Sequence, residues 1–357
     1  MQDLMIVALL IFIRFYGYQV SNFSRIFSRF LFLATLVFLL QITVDQTISD
    51  TIYYLSKSLI CLTFLPFLFE QLGKLEINPG ILIGNFIFGV TVSDLIDLVQ
   101  VNTLAASGRS EGLSGHPVYF GITSTTALSF VFFYKFHGRL RNLISKATIP
   151  ILILSIVRSG TSTSVLIFGV VCAILVGTKL LDMYQALNAG LLIFTLTLFG
   201  LKFSIFEKMS EKLYLVLHPT HSPSLSSTDG VSTLQIRIQS IKNAFPLIRE
   251  YFLTGVGFNS TRMNTFGKEY PHNFFVLGLL GGGIIYLFMQ LYFLLRIVSF
   301  YDSNFSDEFK IIYIICFVSA WIALLTNPIA YDRSTFVPLC FCFFLQEHSR
   351  KSRILDV

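Results

Sequence analysis

Long apolar stretches separated by short polar loops recur along the whole chain. Runs of about 18 to 22 apolar residues have the length that an α-helix needs to cross the hydrocarbon core of a bilayer. The pattern predicts spans at residues 1–20, 30–44, 51–69, 80–99, 116–134, 149–157, 165–177, 188–203, 272–295, 311–326 and 335–345. We therefore expect an all-α, polytopic membrane protein with about eleven transmembrane helices.

Basic residues gather in the short loops of one side of this predicted bundle. By the positive-inside rule these loops are cytoplasmic, which places the N-terminus outside and the C-terminus inside. The long segment 202–271 falls outside, and long translocated loops largely escape the charge rule. The predicted organisation is helices 1–8 in residues 1–201, an outer loop at 202–271, helices 9–11 in 272–346 and a cytoplasmic tail at 347–357.

The outer segment contains an amphipathic pattern at residues 231–252. Its apolar positions recur at helical spacing, at Val231, Leu234, Ile238, Ile241, Phe245, Ile248 and Phe252. This predicts a helix on the membrane interface or capping the bundle, with Arg237 on one flank of the stripe and Lys242 and Arg249 on the other. Pro246 is expected to kink or split this helix.

A glycine turn and a polar run connect this helix to the ninth span. Gly255-Val256-Gly257 forms the turn, and Pro271-His272-Asn273 stands where the span begins. An imidazole at that position is a candidate general base, and the alternative is a capping or interfacial histidine. The glycines of the span, Gly278, Gly281, Gly282 and Gly283, predict close helix packing.

Arg158 lies between two short spans and opens the sequence R-S-G-T-S-T-S. An arginine inside the membrane is a functional hypothesis, since its planar fork binds oxyanions bidentately. The hydroxyls and backbone N–H groups of a restarting helix would add anion donors. The alternative is an arginine that snorkels to the headgroups. We favour a functional role for Arg158. For Arg109 and Arg262, a functional role and snorkelling to the headgroups are balanced.

Two acidic residues share one face of the fourth span, because Asp94 and Asp97 lie three residues apart. They could pair with Lys57 or with an arginine, and a structural ion pair is preferred over a proton relay. His218 and His221 have metal-like spacing, but prolines interrupt them and no carboxylate is near. We interpret them as loop residues.

Composition agrees with a membrane protein. The 357 residues are 54% hydrophobic and 13% charged. The net charge of +6 follows the loops, so it reflects topology and does not indicate a nucleic-acid partner. All five cysteines lie in predicted spans, which favours packing over disulfides or a zinc site. The first apolar run lacks a small-residue cleavage site after it, so we expect a retained span.

Several motifs together resemble the O-antigen ligase and Wzy-type polysaccharide polymerase family. They are R-S-E-G-L-S-G-H-P (109–117), R-S-G-T (158–161), the arginine at 237, T-G-V-G-F-N (254–259) and H-N-F-F followed by a glycine-containing span (272–283). The resemblance implies a glycosyltransferase-C-like helical fold in the bacterial inner membrane, with an active site that faces the periplasm. It also implies glycan transfer from an undecaprenyl-diphosphate carrier, without a metal or other cofactor.

The resemblance further implies roles for named residues. His272 would be the base, and Arg158 and Arg237 would hold the diphosphate, with Arg109, Arg262 and Arg249 as further candidates. The residues that would position the acceptor are Asn273, Ser159 and Thr161.

Three functions remain open. The first hypothesis is a polymerase that joins repeat units of a surface polysaccharide, with undecaprenyl-diphosphate oligosaccharide, membrane lipid and a chain-length regulator as partners. The second is the ligase that transfers the finished chain to lipid A-core. The third is a flippase or other transporter of lipid-linked sugars. Transporters usually have paired interrupted helices in two related halves, and this sequence indicates one interruption.

Overall fold

The computed structural model describes residues 21–43, 48–75, 77–99, 117–136, 144, 146–159, 162–181, 184, 187–188, 191, 233–258, 263–265, 271–298, 305–326 and 333–355. At 21–25, 99, 117, 162, 233–237, 297–298, 333–334 and 351–355 it describes the backbone alone. The main helices are α1 (Ser21–Ile42), α2 (Ile48–Lys74), α3 (Pro79–Val99), α4 (Pro117–Phe133), α5 (Ile149–Ser159), α6 (Ser162–Gly177), α7 (Thr233–Glu250), α8 (Phe274–Val298), α9 (Asp307–Thr326) and α10 (Arg333–Leu355). The predicted span at 1–20 lies outside the described residues, as does most of the span at 188–203.

Among the described residues, four helices are long and apolar enough to cross a membrane: Ile48–Lys74, Pro79–Leu98, Phe274–Arg296 and Asp307–Thr326. Shorter apolar helices occur at Ile26–Ile42, Val118–Phe133, Ile149–Ser159 and Thr163–Gly177. The described residues contain no strand. Helices satisfy their backbone hydrogen bonds internally, as the interior of a bilayer requires. The chain is a helical, membrane-embedded protein, and the count of eleven spans stays a prediction.

The predicted interruption beside Arg158 is confirmed, since α5 ends at Ser159 and α6 begins at Ser162. The predicted spans at 1–20 and 30–44 leave residues 21–29, with Arg25 and Arg29, as a basic loop, but this segment is helical, because α1 already begins at Ser21. Residues 21–42 contain neither glycine nor proline, so no helix-breaking residue prevents the helix from extending past the apolar span.

Helix α2 contains one π-helical turn, Ile60–Phe64. Pro66 lies two residues after this turn; it has no N–H to donate to the carbonyl of Leu62, and its ring crowds that carbonyl. Widening of the helix next to such a residue is a common response.

Pro246 does not split α7, which continues as one helix to Glu250. Pro246 and Lys242 are both exposed. The carbonyl of Lys242, which loses its partner to the proline, can therefore be solvated, so the helix tolerates the loss.

The predicted apolar stripe of α7 is also divided between two faces. Ala244 and Ile248 are buried, whereas Ile238 and Phe245 are 46% and 58% exposed. Asn243 donates to the carbonyl of Thr265 at 2.9 Å, which helps to fix the buried face. The exposed apolar residues alternate with Lys242 and Arg249, a combination that suits an anionic membrane surface.

The chain forms two compact units. The first comprises Met1–Phe64, Gly200–Leu295 and Leu324–Tyr331. In it, Phe27 stacks on Phe64 and Phe30 meets Phe293 edge-on, with ring centroids 5.8 and 5.6 Å apart. Arg29 donates to the Tyr292 hydroxyl at 2.6 Å. Aromatic contacts thus join α1 to α2 and to the second part of α8.

The second unit comprises Leu65–Phe199, Arg296–Ala323 and Asp332–Val357. Helix α4 is its centre and contacts α3, α5, α6 and α10. Helix α10 also crosses the second part of α2 closely, since a Cβ at Gly73 would lie 2.6 Å from the carbonyl oxygen of Phe344. Only glycine permits that approach.

Candidate functional site

His272 lies at the start of α8, in the first unit, and its side chain is half-buried between buried Pro271 and the helix. Asn273 is the N-cap of α8, since its Oδ1 accepts the N–H groups of Phe275 and Val276, both at 3.0 Å. The cap fixes the backbone next to the imidazole. The positive end of the helix dipole also lies there, which favours a bound anion.

Both the oxygen and the nitrogen of the Asn273 side-chain amide form hydrogen bonds. Its Nδ2 donates to the carbonyl of Leu325 at 3.1 Å, near the C-terminal end of α9. These contacts give Asn273 a structural part, tying the start of α8 to the end of α9. Its predicted part in positioning an acceptor stays a prediction, and it would have to coexist with these hydrogen bonds.

Helix α8 is broken at Gly283, whose φ of 70° and ψ of −172° lie outside the helical region. The loop before it supplies the missing hydrogen bonds. Val256 donates to the carbonyl of Leu280 at 2.8 Å, and Gly257 donates to that of Gly281 at 3.0 Å. After the break, the N–H of Ile284 donates to the carbonyl of Phe252 at 2.9 Å. Loop and helix thus complete one another's backbone.

This arrangement corrects the interpretation of the glycines in this span. Close approach is confirmed, but the partner at the break is a loop and not another helix. A Cβ at Gly255, where φ is +70°, would lie 2.6 Å from the backbone nitrogen of Gly283. A Cβ at Gly283 would lie 2.8 Å from the nitrogen of Gly255. Two left-handed glycines therefore face each other without room for a side chain.

The two parts of α8 fold towards one another. A Cβ at Gly278 would lie 2.8 Å from Nε2 of Gln290, although twelve residues of straight helix would separate them by about 18 Å. The predicted ninth span is therefore not a straight rod, and the break at Gly283 is its cause.

Gln41 of α1 is a residue that the sequence analysis missed. It is 1% exposed, and its Nε2 donates to the carbonyls of Thr254 and Gly281, the latter at 3.1 Å. One side chain thus binds both the loop and the broken helix. A lone glutamine in an apolar span was the available signal, since a buried amide in a membrane requires partners.

Aromatic side chains close the same region. Phe258 stacks on Tyr54 with ring centroids 4.9 Å apart and meets Tyr286 at 4.8 Å. The Tyr286 hydroxyl lies 2.9 Å from Ser58 Oγ. Within the first unit, then, the segment Thr254–Phe258 and the glycine span that follows His272, both motifs of the resemblance, are brought into direct contact.

Arg158 lies in the second unit, at the end of α5. Its Nη1 is 3.8 Å from Oδ2 of Asp97 on α3, and the two side chains are 26% and 0% exposed. The expected ion pair of the acidic residues with an arginine is thus present at Asp97. Arg158 has an internal counter-ion, so only part of its guanidinium faces outward for a ligand.

The hydroxyl predicted next to Arg158 points back into its own helix. Ser159 is buried, and its Oγ donates to the carbonyl of Ile156 at 2.8 Å. Thr161 lies outside the described residues. An acceptor-positioning role for either residue stays a prediction.

The remaining predicted arginines are placed in part. Arg249 is exposed on α7, and Arg237 lies on the same helix, with its backbone alone described. Both belong to the first unit. Arg109 and Arg262 lie outside the described residues.

Metal and disulfide chemistry can be checked in the described part of the chain. There, no group of three or more His, Cys, Asp or Glu side chains is placed to hold a metal ion. All five cysteines fall within the described ranges, where they are buried and form no disulfide.

Comparison with known proteins gives no further guide. No protein-family model matches the chain, and no curated protein matches it in sequence.

Proposed function

We propose that this protein is a membrane glycosyltransferase, a Wzy-type polymerase that joins repeat units of a surface polysaccharide. Its donor would be an oligosaccharide on undecaprenyl diphosphate, and its acceptor a sugar hydroxyl of a second lipid-linked chain. The enzyme would lie in the bacterial inner membrane with its active site facing the periplasm. The proposal rests on the resemblance of the motifs and on the position of His272.

The observation that carries the proposal is the half-buried imidazole of His272 at the start of α8. Its backbone is held by the Asn273 cap, and the T-G-V-G-F segment packs on the same helix. A general base needs a rigid position and access to substrate.

The proposed chemistry is one displacement at the anomeric carbon. The acceptor oxygen forms a bond to that carbon while the bond to the diphosphate oxygen breaks. His272 takes the proton of the acceptor hydroxyl. Negative charge develops on the departing lipid diphosphate and must be stabilised. Fixed cations near that group would lower the barrier.

Arginine side chains would supply these cations. Arg158 and Arg237 are the main candidates to hold the diphosphate, followed by Arg249, Arg109 and Arg262. Guanidinium groups bind phosphate oxygens bidentately and can stand in place of a divalent cation. Asp97 would orient Arg158, since a planar guanidinium can meet a carboxylate on one edge and a phosphate on another.

The test is glycan transfer by the purified protein. Incubation with a lipid-linked repeat unit should give a ladder of polymers, and His272→Ala should reduce the rate at least about 100-fold, the usual contribution of a general base. The donor should still bind. His218→Ala is the matched control and should keep the rate. Full activity of His272→Ala would reject the assigned base.

The ligase is the alternative within the same chemistry. Adding lipid A-core as acceptor separates the two, because a ligase yields one product per acceptor while a polymerase yields a ladder. A single product that requires lipid A-core would replace the polymerase with the ligase.

A transporter of lipid-linked sugars gains support from one observation. The second unit contains the interruption between α5 and α6, and the first contains the break of α8 at Gly283. Paired discontinuous helices are common in secondary transporters. In liposomes, movement of a fluorescent lipid-linked sugar between leaflets, unchanged by His272→Ala and without any new glycosidic bond, would favour this function over both enzymes.

A further inference from the structure

Helices α3, α4 and α5 enclose a polar core within the second unit. Its described members are fully or almost fully buried: Asp94, Asp97, Ser124, Thr125, Ser129, Ser155 and Ser159. Polar side chains in the interior of an apolar bundle are expensive and mark functional sites. The question is what this core holds besides the arginine at its end.

Facing residues of α3 and α5 are matched in register. Asp94 and Asp97 are three residues apart on α3, and Ser155 and Arg158 are three apart on α5. Arg158 meets Asp97, and Ser155 faces Asp94. Helix α4 closes the third side, where Ser124 Oγ lies 3.3 Å from Asp94 Oδ1.

The charges of this core do not balance. Among the described residues, Asp97 and Arg158 neutralise each other, and α4 contributes hydroxyls but no charge. Asp94 is 0% exposed and has no cation of its own there. An uncompensated carboxylate in an apolar interior is too costly to persist. Within the described residues, the charge of Asp94 would be balanced by one bound cation or proton.

Two oxygen atoms are available for that charge. Oδ2 of Asp94 and Oγ of Ser155 are buried and have no hydrogen-bond partner among the described residues. Ser155 faces the carboxylate of Asp94. Oxygen donors of this kind suit hard cations and protons.

We propose that Asp94, with Ser124 and Ser155, binds one monovalent cation, Na⁺ or a proton, in the core of α3, α4 and α5. A divalent ion would replace the excess negative charge of the core with an excess positive charge. The site is independent of the glycosyltransferase hypothesis, since it uses none of the residues assigned to catalysis or to the diphosphate. If the protein is a transporter, the same site would supply an ion for coupling.

The test compares thermal unfolding of the whole protein in phosphatidylcholine nanodiscs. For a Na⁺ site, the Tm of the wild type should rise with the logarithm of NaCl concentration at ionic strength held constant with choline chloride. Asp94→Asn should abolish the rise, and Ser155→Ala should shift it to higher Na⁺ concentration. Asp307→Asn, which removes an 80% exposed carboxylate, is the matched control and should keep it. Binding of ²²Na⁺ close to one ion per protein gives an independent measurement.

The proton form gives a different pattern. The Tm should then be insensitive to Na⁺ and should rise on acidification in the wild type more than in Asp94→Asn. The charged group that acts on Asp94 in the described structure is Asp97, which pairs with Arg158, and both are retained in that variant. The inference is overturned if Asp94→Asn changes neither response, or if Asp307→Asn changes it equally.

Discussion

Gly283 has a backbone conformation that other residues rarely adopt. Its φ of 70° with ψ of −172° is the region populated almost only by glycine, and the backbone of Leu253 and Gly255 occupies the space where a Cβ would stand. The same holds in milder form for Gly255. The contact between loop and broken helix therefore depends on two single residues.

Replacing Gly283 by alanine should lower the free energy of unfolding. Backbone strain alone costs about 1–3 kcal/mol, and the collision with the loop adds to it. Denaturant unfolding in detergent would measure the loss. Gly169→Ala in α6 is the control, because a Cβ there meets nothing within 4 Å. Alanine should stabilise that helix by up to about 1 kcal/mol. Equal effects of the two substitutions would contradict the strained break.

At the scale of elements, the ion pair between α3 and α5 gives Arg158 a structural role beside the proposed functional one. Removing its charge would leave the buried carboxylate of Asp97 without its counter-ion. An arginine that serves only an external anion would instead be costly to keep without that anion. The two roles thus predict opposite effects on the ligand-free protein.

We expect Arg158→Gln to reduce the stability of the ligand-free protein by about 3–5 kcal/mol, the usual result of removing one partner of a buried pair. Adding Asp97→Asn should restore most of that loss. Arg350→Gln is the matched control, since Arg350 also lies 3.8 Å from a carboxylate but is 67% exposed. Its effect should stay within about 1 kcal/mol. A stable Arg158→Gln protein would assign the arginine to ligand binding alone.

Helices could be predicted from the sequence where apolar length decides the structure. Helix α3 and the pair α5 and α6 follow directly from hydrophobic runs and from the R-S-G-T interruption. The break of α8 could not be predicted in the same way. It depends on N–H groups of Val256 and Gly257 and on the side chain of Gln41, which are distant in sequence. Local pattern shows only a long apolar run with glycines.

The residues of the candidate site could be predicted from the sequence more readily than the contacts that they form. The place of His272 at the start of an apolar helix could be predicted and is confirmed, whereas its role as a base stays a prediction. The pairing of Arg158 with Asp97 could be proposed only as one of several options, because helix register decides it. The hydrogen bonds of Asn273 and Ser159 to backbone groups could not be predicted, since a polar side chain beside a helix end can either cap the helix or bind a ligand.

At the scale of the whole molecule, one group outside the predicted spans makes stability depend on pH. Glu347 lies on α10 beyond the predicted span at 335–345, beside Glu70, Lys74 and Arg350. Burial raises the pKa of Glu347 above its ordinary value of 4.5, and the charge of Glu70 raises it further, whereas Lys74 and Arg350 oppose the rise. The folded state therefore holds this proton more tightly than the unfolded chain does.

The sign of the pH dependence follows from this difference. Between 4.5 and the raised folded pKa the folded protein binds more protons, so the contribution of Glu347 to stability is fully present at low pH and is lost as pH rises. Glu347→Gln should flatten this part of the profile of Tm against pH. Glu250→Gln, at an exposed position on α7, should leave it unchanged. An unchanged profile in Glu347→Gln would assign the dependence to other groups.

The discontinuity in α8 has a consequence for biogenesis. An 18-residue window within Phe274–Arg296 has a mean hydropathy of 2.0, enough for the translocation machinery to admit it as one uninterrupted segment. We expect this helix to stay continuous until the N–H groups of Val256 and Gly257 and the side chain of Gln41 can donate hydrogen bonds to its carbonyls. Maturation would then proceed in two stages, lipid entry first and reshaping afterwards. Substitutions at Gln41 would leave insertion intact and arrest the second stage.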